Sequence, residues 1–79
     1  MSKELFHWYV LTFSYTADQD RKGDAWTYMG WTDRLLTIPR IENAKKDALS
    51  QIDSETVKGT LISAIYLGYM TEDQVKTHV

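Results

Sequence analysis

The pattern of hydrophobic and polar residues predicts that the chain begins with a long β-strand over residues 5–16. Aromatic and β-favouring side chains dominate this segment, and from Leu11 onward apolar residues alternate with Thr or Ser. Before Leu11 almost every position is apolar, which is typical of a strand covered on both faces. The next segment, residues 17–24, is polar with one glycine and predicts an exposed hairpin loop.

A second strand is predicted over residues 25–33, so that the first two strands form an antiparallel hairpin. Alternation divides its side chains into two sets: Trp26, Tyr28, Gly30 and Thr32 on one face, and Thr27, Met29 and Trp31 on the other. A glycine inside a strand pattern indicates either a bulge or a close approach of another group to the backbone.

The main helix is predicted to start around Pro39 and to run to about Ile52. Proline is favoured in the first helical turn, and Thr37 is positioned as an N-cap. Ile38 is expected outside the helical region because it precedes proline. The apolar positions then form a stripe at helical spacing: Ile41, Ala44, Ala48, Leu49 and Ile52. The small alanines in this stripe would let the helix lie close to a sheet.

A third strand is predicted over residues 57–70, where apolar residues occupy both alternating sets and indicate a central strand covered on both faces. The two sets are Leu61, Ile65 and Leu67 on one face, and Ile62, Ala64 and Tyr66 on the other. Thr71 and Gln74 have the spacing of a capping box, which predicts a short C-terminal helix through Lys76.

Together these elements predict a single small α+β domain over residues 1–79: a three-stranded sheet in the order strand, strand, helix, strand (ββαβ), followed by a short C-terminal helix. The third strand is expected to pair beside the first, and a parallel pairing would require a right-handed crossover. One main helix covers one face of such a sheet. The opposite face, unless the C-terminal helix covers it, is the first candidate for a binding surface.

Composition narrows the classes of function. The chain has no cysteine, so disulfides and thiolate metal sites are excluded, and the expected location is the reducing cytoplasm. The N-terminus lacks a signal-peptide pattern, and the apolar runs are shorter than the roughly 18 residues of a membrane span. Nine Lys or Arg are interspersed with eleven Asp or Glu, which argues against a nucleic-acid partner, since that function requires a concentrated basic face.

Residues with catalytic or metal-binding chemistry are few. The histidines are His7, which lies in an aromatic run, and His78, near the C-terminus, and no local spacing joins them to carboxylates as a metal site. We therefore predict no catalytic residue, no metal site and no cofactor. An enzyme would need a pocket that brings His7 near a carboxylate such as Glu4 or Asp33.

Aromatic residues are the most distinctive part of the composition, with three Trp and five Tyr among 79 residues. These residue types are enriched at protein interfaces and binding hot spots. We therefore predict a binding module in which aromatic side chains of the hairpin anchor a partner protein and nearby charges form a rim. The predicted anchors are Trp8, Trp26, Tyr28 and Trp31, and the predicted rim consists of Asp18, Asp20, Arg21 and Asp24.

Two alternatives use the same sheet. Aromatic sheet faces stack single-stranded nucleic acid in RNA-recognition modules, and such binding is salt-sensitive, although Lys58 is the only basic residue inside the first and third strands. A short sheet with a free edge also pairs with a second copy of itself, which would make the protein a self-associating homodimer.

The segment over residues 66–73, Tyr-Leu-Gly-Tyr-Met-Thr-Glu-Asp, with the hairpin, helix and strand before it, resembles small accessory proteins of enterobacterial temperate phages and prophages. The resemblance implies a phage or mobile-element protein that binds a host or phage protein stoichiometrically and modulates it. Anti-CRISPR proteins and other inhibitors of bacterial defence are similar in size and in lacking an active site, so inhibition of a defence system is one implied role. The resemblance assigns no role to any individual residue.

Overall fold

The computed structural model describes residues 4–18, 21–52 and 56–78. Its elements, in chain order, are β1 (Leu5–Thr16), β2 (Lys22–Trp31), α1 (Ile38–Leu49), β3 (Lys58–Thr71) and α2 (Glu72–His78). This order confirms the predicted α+β fold, with a hairpin, a main helix, a third strand and a short C-terminal helix. Within these described ranges, no helix is long and apolar enough to cross a membrane.

The three strands form one antiparallel sheet in the order β2-β1-β3, so β1 is the central strand. The expectation that the third strand pairs beside the first is confirmed, and the pairing is antiparallel rather than parallel. The expectation of a central position for β3 is wrong, because no described strand pairs on its other side. β2 and β3 are both antiparallel to β1, and they therefore run in the same direction on its two sides.

Two bulges in β3 change which of its side chains share a face. β3 has 14 residues against the 12 of β1, and the pairing between them skips Leu67 and Ile62. Gly68 has a φ of 133°, which residues with a Cβ rarely adopt, so glycine permits the bulge beside it. Because each bulge resets the alternation, Leu61 and Tyr66 both pack against the same core. The predicted division of β3 into two faces is wrong for this reason.

The hydrophobic core lies between α1 and one face of the sheet. Leu11 and Phe13 of β1 are fully buried there, and Tyr9 is buried beside them. From α1, Ala44 and Ala48 are buried against these residues, which confirms that the small side chains of the helix face the sheet. Burial of one large apolar side chain stabilises a fold by roughly 1.5–3 kcal/mol, so this cluster is a main source of stability.

The start of α1 follows from local side chains. The hydroxyl of Thr37 accepts a hydrogen bond from the N–H of Arg40 (3.4 Å), which confirms the predicted N-cap. Ile38 is already helical, so its expected exclusion from the helix is wrong. Pro39 fits in this first turn because the N–H groups there have no acceptor within the helix. The helix ends at Leu49, earlier than predicted.

A second buried region lies outside the cluster beneath α1, where β3 meets α2. Trp8 and Val75 are both buried without belonging to that cluster, and Trp8 Nε1 donates to the carbonyl of Met70 (2.8 Å). The predicted capping box forms, since the N–H of Thr71 donates to Gln74 Oε1 (2.9 Å) and the N–H of Gln74 donates to Thr71 Oγ1 (3.2 Å). These bonds fix the start of α2, which contacts both β3 and β1.

Candidate protein-binding surface

The face of the sheet opposite the α1 core forms a surface with large apolar side chains. In the register of the sheet, Val10 and Thr12 of β1 each pair with one residue of β2 and one residue of β3. Residues directly opposite each other in antiparallel strands share a face. The set, which we name the open face, consists of Val10, Thr12, Trp26, Tyr28, Ser63 and Ile65.

Two large apolar residues of the open face are exposed. Trp26 is 62% exposed on β2, and Ile65 is 56% exposed on β3. Tyr28 is half-buried next to Trp26 along the same side of β2. The structure therefore brings Trp26 and Tyr28 onto one surface, as the alternation of β2 predicts, and leaves apolar area there in contact with water.

Trp8 lies on the same side of β1 but does not belong to the accessible surface. It is 7% exposed, and its indole covers the backbone of Gly30, where a Cβ would come within 2.8 Å of the ring. Its ring centroid is 5.8 Å from that of Tyr28. The prediction of Trp8 as an anchor is corrected accordingly, because its ring packs within the fold. The glycine in the strand pattern of β2 marks this close approach, not a bulge.

Trp31 lies on the α1 side of β2, away from the open face. It is half-buried and packs against the core, with its ring centroid 5.7 Å from that of Tyr9. The guanidinium of Arg40 in α1 lies over the ring, 5.2 Å from its centroid. Trp31 therefore lies on the opposite face of the sheet from Trp26 and packs against the core, and its role as an anchor stays a prediction.

The charged residues predicted as a rim separate into groups. Asp18 and Arg21 are exposed in the connection between β1 and β2. Asp24 is exposed, but β2 begins at Lys22, so Asp24 is a strand residue and the predicted loop is shorter than expected. Asp20 lies outside the described residues.

Ile65 is the member of the open face that the sequence pattern misplaced. Regular alternation groups Ile65 with Leu61, which packs against the core. The bulge at Ile62 separates the two residues, so that Leu61 faces α1 and Ile65 pairs with Val10 on the open face. Gly68 is a sequence signal for the other bulge, but no comparable signal marks this one.

A groove of about 410 Å³ runs between β2 and α1. It is lined by residues 24–28 of β2 and by Asp47, Ala48, Gln51 and Ile52 from α1 and the turn after it. Successive side chains of a strand point to opposite faces. The groove is lined by five consecutive residues of β2, which include both sets of alternating side chains. It therefore follows the outer edge of β2, and α1 forms its opposite wall.

His7 lies in an aromatic cluster on β1 and β3. Its Nδ1 is 2.9 Å from the hydroxyl of Tyr66, and its ring centroid is 4.5 Å from that of Tyr69. Asp33, one of the carboxylates that an enzymatic interpretation requires beside His7, pairs with Arg40 (2.6 Å) and also lies near enough to His7 for that side chain to help lower the Asp33 pKa. Among the residues that the structure describes, no group of three or more His, Cys, Asp or Glu is placed to hold a metal ion.

Hydrogen bonds around Asp33 join the connection between β2 and α1 to the first turns of α1, and one bond from Tyr9 joins it to β1. Arg40, which donates to Asp33, holds the pKa of that carboxyl below its usual value, and the N–H of Leu35, which donates to it at 2.9 Å, lowers the pKa further. Arg40 also donates to the carbonyl of Leu35 (2.6 Å). The hydroxyl of Tyr9 donates to the carbonyl of Arg34 (2.7 Å). The connection between β2 and α1 is therefore held to the buried Tyr9 and to α1 by hydrogen bonds.

The chain matches no protein-family model, no curated protein and no solved structure.

Proposed function

We propose that this protein is a binding module that docks a partner protein on the open face and catalyses no reaction. The observation that carries the proposal is the 62% exposure of Trp26 on a sheet face that also holds the exposed Ile65. A domain of this size buries only roughly 60% of the surface of its unfolded chain, so large apolar side chains are needed in the core. A tryptophan left in water contributes little to the fold, whereas covering its ring contributes strongly to binding.

The resemblance to small accessory proteins of temperate phages supports a narrower form of the proposal. In this form the partner is a host or phage protein in the cytoplasm of a bacterial host, and binding modulates it in a stoichiometric complex. Inhibition of a bacterial defence system is one activity that fits a small binding module of this kind.

Affinity capture from nuclease-treated bacterial lysate tests the proposal. Tagged wild-type protein is compared with Trp26→Ser and Ile65→Ser, each of which removes one exposed apolar side chain from the open face. We expect the wild type to retain a stoichiometric protein partner that both variants lose. Replacing a hot-spot residue costs about 2 kcal/mol or more, which corresponds to roughly thirtyfold weaker binding.

Leu35→Ser is the matched control for this experiment. Leu35 is 65% exposed, comparable with Trp26, but it lies in the connection between β2 and α1 and outside the open face. The control should retain the partner. Equal recovery of the partner by all four proteins would contradict docking on the open face.

Single-stranded nucleic acid is the second candidate ligand for the same side of the sheet. Lys22 and Lys58 both pair with Thr16, which places two cations together at one end of this side. The open face itself contains neither Lys nor Arg. Fluorescence anisotropy with a labelled thymidine oligonucleotide, at low and at physiological salt, distinguishes the candidates: nucleic-acid binding weakens steeply with salt, whereas apolar protein docking does not.

A further inference from the structure

We infer that the groove between β2 and α1 is a strand-addition site that takes an extended segment of the partner protein carrying a Lys or Arg side chain. This inference rests on the proposed function and specifies how the partner is recognised. The strand-addition site lies along the outer edge of β2, whereas the open face is the surface of the sheet opposite α1.

The outer edge of β2 is suited to pairing with another strand. β1 occupies one side of β2, and no described strand pairs on the other side. An edge strand has alternate N–H and C=O groups directed away from its neighbour. Proteins block such edges with charges, proline or bulges. β2 has charges only at its start, at Lys22 and Asp24, whereas residues 25–31 contain neither a charge nor a proline and their register with β1 is continuous. The other edge strand, β3, has two bulges.

The shape of the groove agrees with this mode of binding. It follows residues 24–28 along the free edge and is bounded by α1, and its volume of about 410 Å³ is in the usual range of ligand sites, roughly 300–1,000 Å³. When a peptide adds to an edge strand, main-chain hydrogen bonds supply affinity and the alternate side chains supply specificity. A strand added to β2 would direct one set of side chains toward Ala48 and Ile52 and the other set toward the side of Trp26.

The charges of the groove determine which side chains it prefers. Asp24 and Asp47 line the groove, and no Lys or Arg does. Within the described residues, neither carboxylate forms an ion pair with Lys or Arg. Asp47 Oδ2 accepts a hydrogen bond from the hydroxyl of Thr27, which orients the carboxylate at the strand edge. A Lys or Arg of an added strand would complement these charges, and Arg would do so with two hydrogen bonds.

The same charges argue against a second copy of this chain as the occupant. Pairing of two β2 edges would bring Asp24 and Asp47 of one copy toward the corresponding carboxylates of the other, without an additional cation from the groove lining. Like charges placed across an interface oppose association. A basic segment of a different protein would form main-chain hydrogen bonds with the free edge of β2 and ion pairs with the two carboxylates.

Selection from a displayed library of random linear dodecapeptides tests the inference. We expect the enriched peptides to carry Lys or Arg in alternation with apolar residues. Synthetic peptides of these sequences should slow hydrogen exchange at amides of β2, and N-methylation of alternate peptide amides should abolish binding because strand pairing requires these donors. Asp47→Asn should weaken binding by about tenfold or more, since a hydrogen bond to a charged group contributes about 1.5–3 kcal/mol.

Ile65→Ser is the matched control, because Ile65 belongs to the open face and does not line the groove. It should leave peptide affinity unchanged while weakening capture of the partner from lysate. If Ile65→Ser loses the partner but no peptide is enriched, or Asp47→Asn has no effect on the peptides, the proposed function stands and the strand-addition site is wrong. Concentration-dependent dimers strengthened by Asp47→Asn would identify a second copy as the occupant and would also overturn the inference.

Discussion

The two faces of the sheet use their large side chains differently. On the side of α1, Leu11 and Phe13 are fully buried, and small alanines of the helix allow a close approach. On the open face, Trp26 is 62% exposed and Ile65 is 56% exposed. The side chains of the first face hold the fold together, whereas those of the second leave apolar area in water.

This difference follows from the small number of elements. Three strands and one main helix form two layers, and two layers cover one face of a sheet. At the end where β3 meets α2, Trp8 is buried and closes over Gly30, so the large exposed apolar side chains of this side lie in the rows of Val10 and Thr12. Exposure, rather than residue type, distinguishes Trp8, which packs within the fold, from Trp26, the candidate anchor.

The largest expected effect comes from the covered face. Phe13→Ala should lower the free energy of unfolding by about 3–5 kcal/mol, because it leaves a cavity beneath α1. That loss is a large part of the roughly 5–15 kcal/mol that stabilises a typical domain. Urea denaturation measures it, with Thr12→Ala, a half-buried neighbour on the open face, as the control. Equal losses in the two variants would remove the distinction between the faces.

The packing of Trp8 gives the next largest effect. Gly30→Ala should cost about 1–3 kcal/mol, because the new Cβ would meet the indole at 2.8 Å and force it to shift. A Trp8→Leu background should relieve part of this cost, and the coupling between the two substitutions is measured in a double-mutant cycle. Additive effects would show that the indole does not constrain this glycine.

The capping box at the start of α2 is expected to contribute about 1 kcal/mol. Thr71→Ala removes the hydroxyl that accepts from the N–H of Gln74, whereas Thr71→Ser keeps it. We expect faster amide exchange in α2 for the alanine variant and wild-type exchange for the serine variant. The same exchange rates in all three proteins would contradict a role for this bond in holding α2.

Trp26→Ser should change stability by no more than about 0.5 kcal/mol, since its side chain is mostly in water. Trp8→Ser, which changes the same residue type on the same side of the sheet, should cost about 3–5 kcal/mol because that ring is buried. Thermal unfolding of the two variants compares them directly. A large loss for Trp26→Ser would mean that the open face is part of the core.

The smallest effect is expected at the exposed pair of Asp33 and Arg40. The pKa of Asp33 is lowered in the folded state, so the pair stabilises the fold above the ordinary pKa of about 3.9, and this contribution is lost as the pH falls through the lowered value. In Arg40→Gln, an NMR titration should show the Asp33 pKa moving up toward its ordinary value. Lys45→Gln, which removes the partner of Glu42, should leave the Asp33 titration unchanged.

Much of the local structure could be predicted from the sequence because it depends on neighbours along the chain. Alternation defines β1 over residues 5–16, and its range is confirmed. The N-cap at Thr37 and the capping box from Thr71 to Gln74 are also confirmed, since each joins residues three apart. For the candidate surface, alternation correctly placed Trp26 opposite Trp31.

The tertiary structure alone decided which side of each strand is buried. Alternation states that Trp26 and Trp31 lie on opposite faces, but only the position of α1 shows which face is covered. The burial of Trp8 depends on the backbone of Gly30 in a neighbouring strand, and the exposure of Ile65 depends on a bulge in the pairing of β3 with β1. Burial and register arise from contacts between residues distant in sequence, and a pattern with a period of two residues does not encode them.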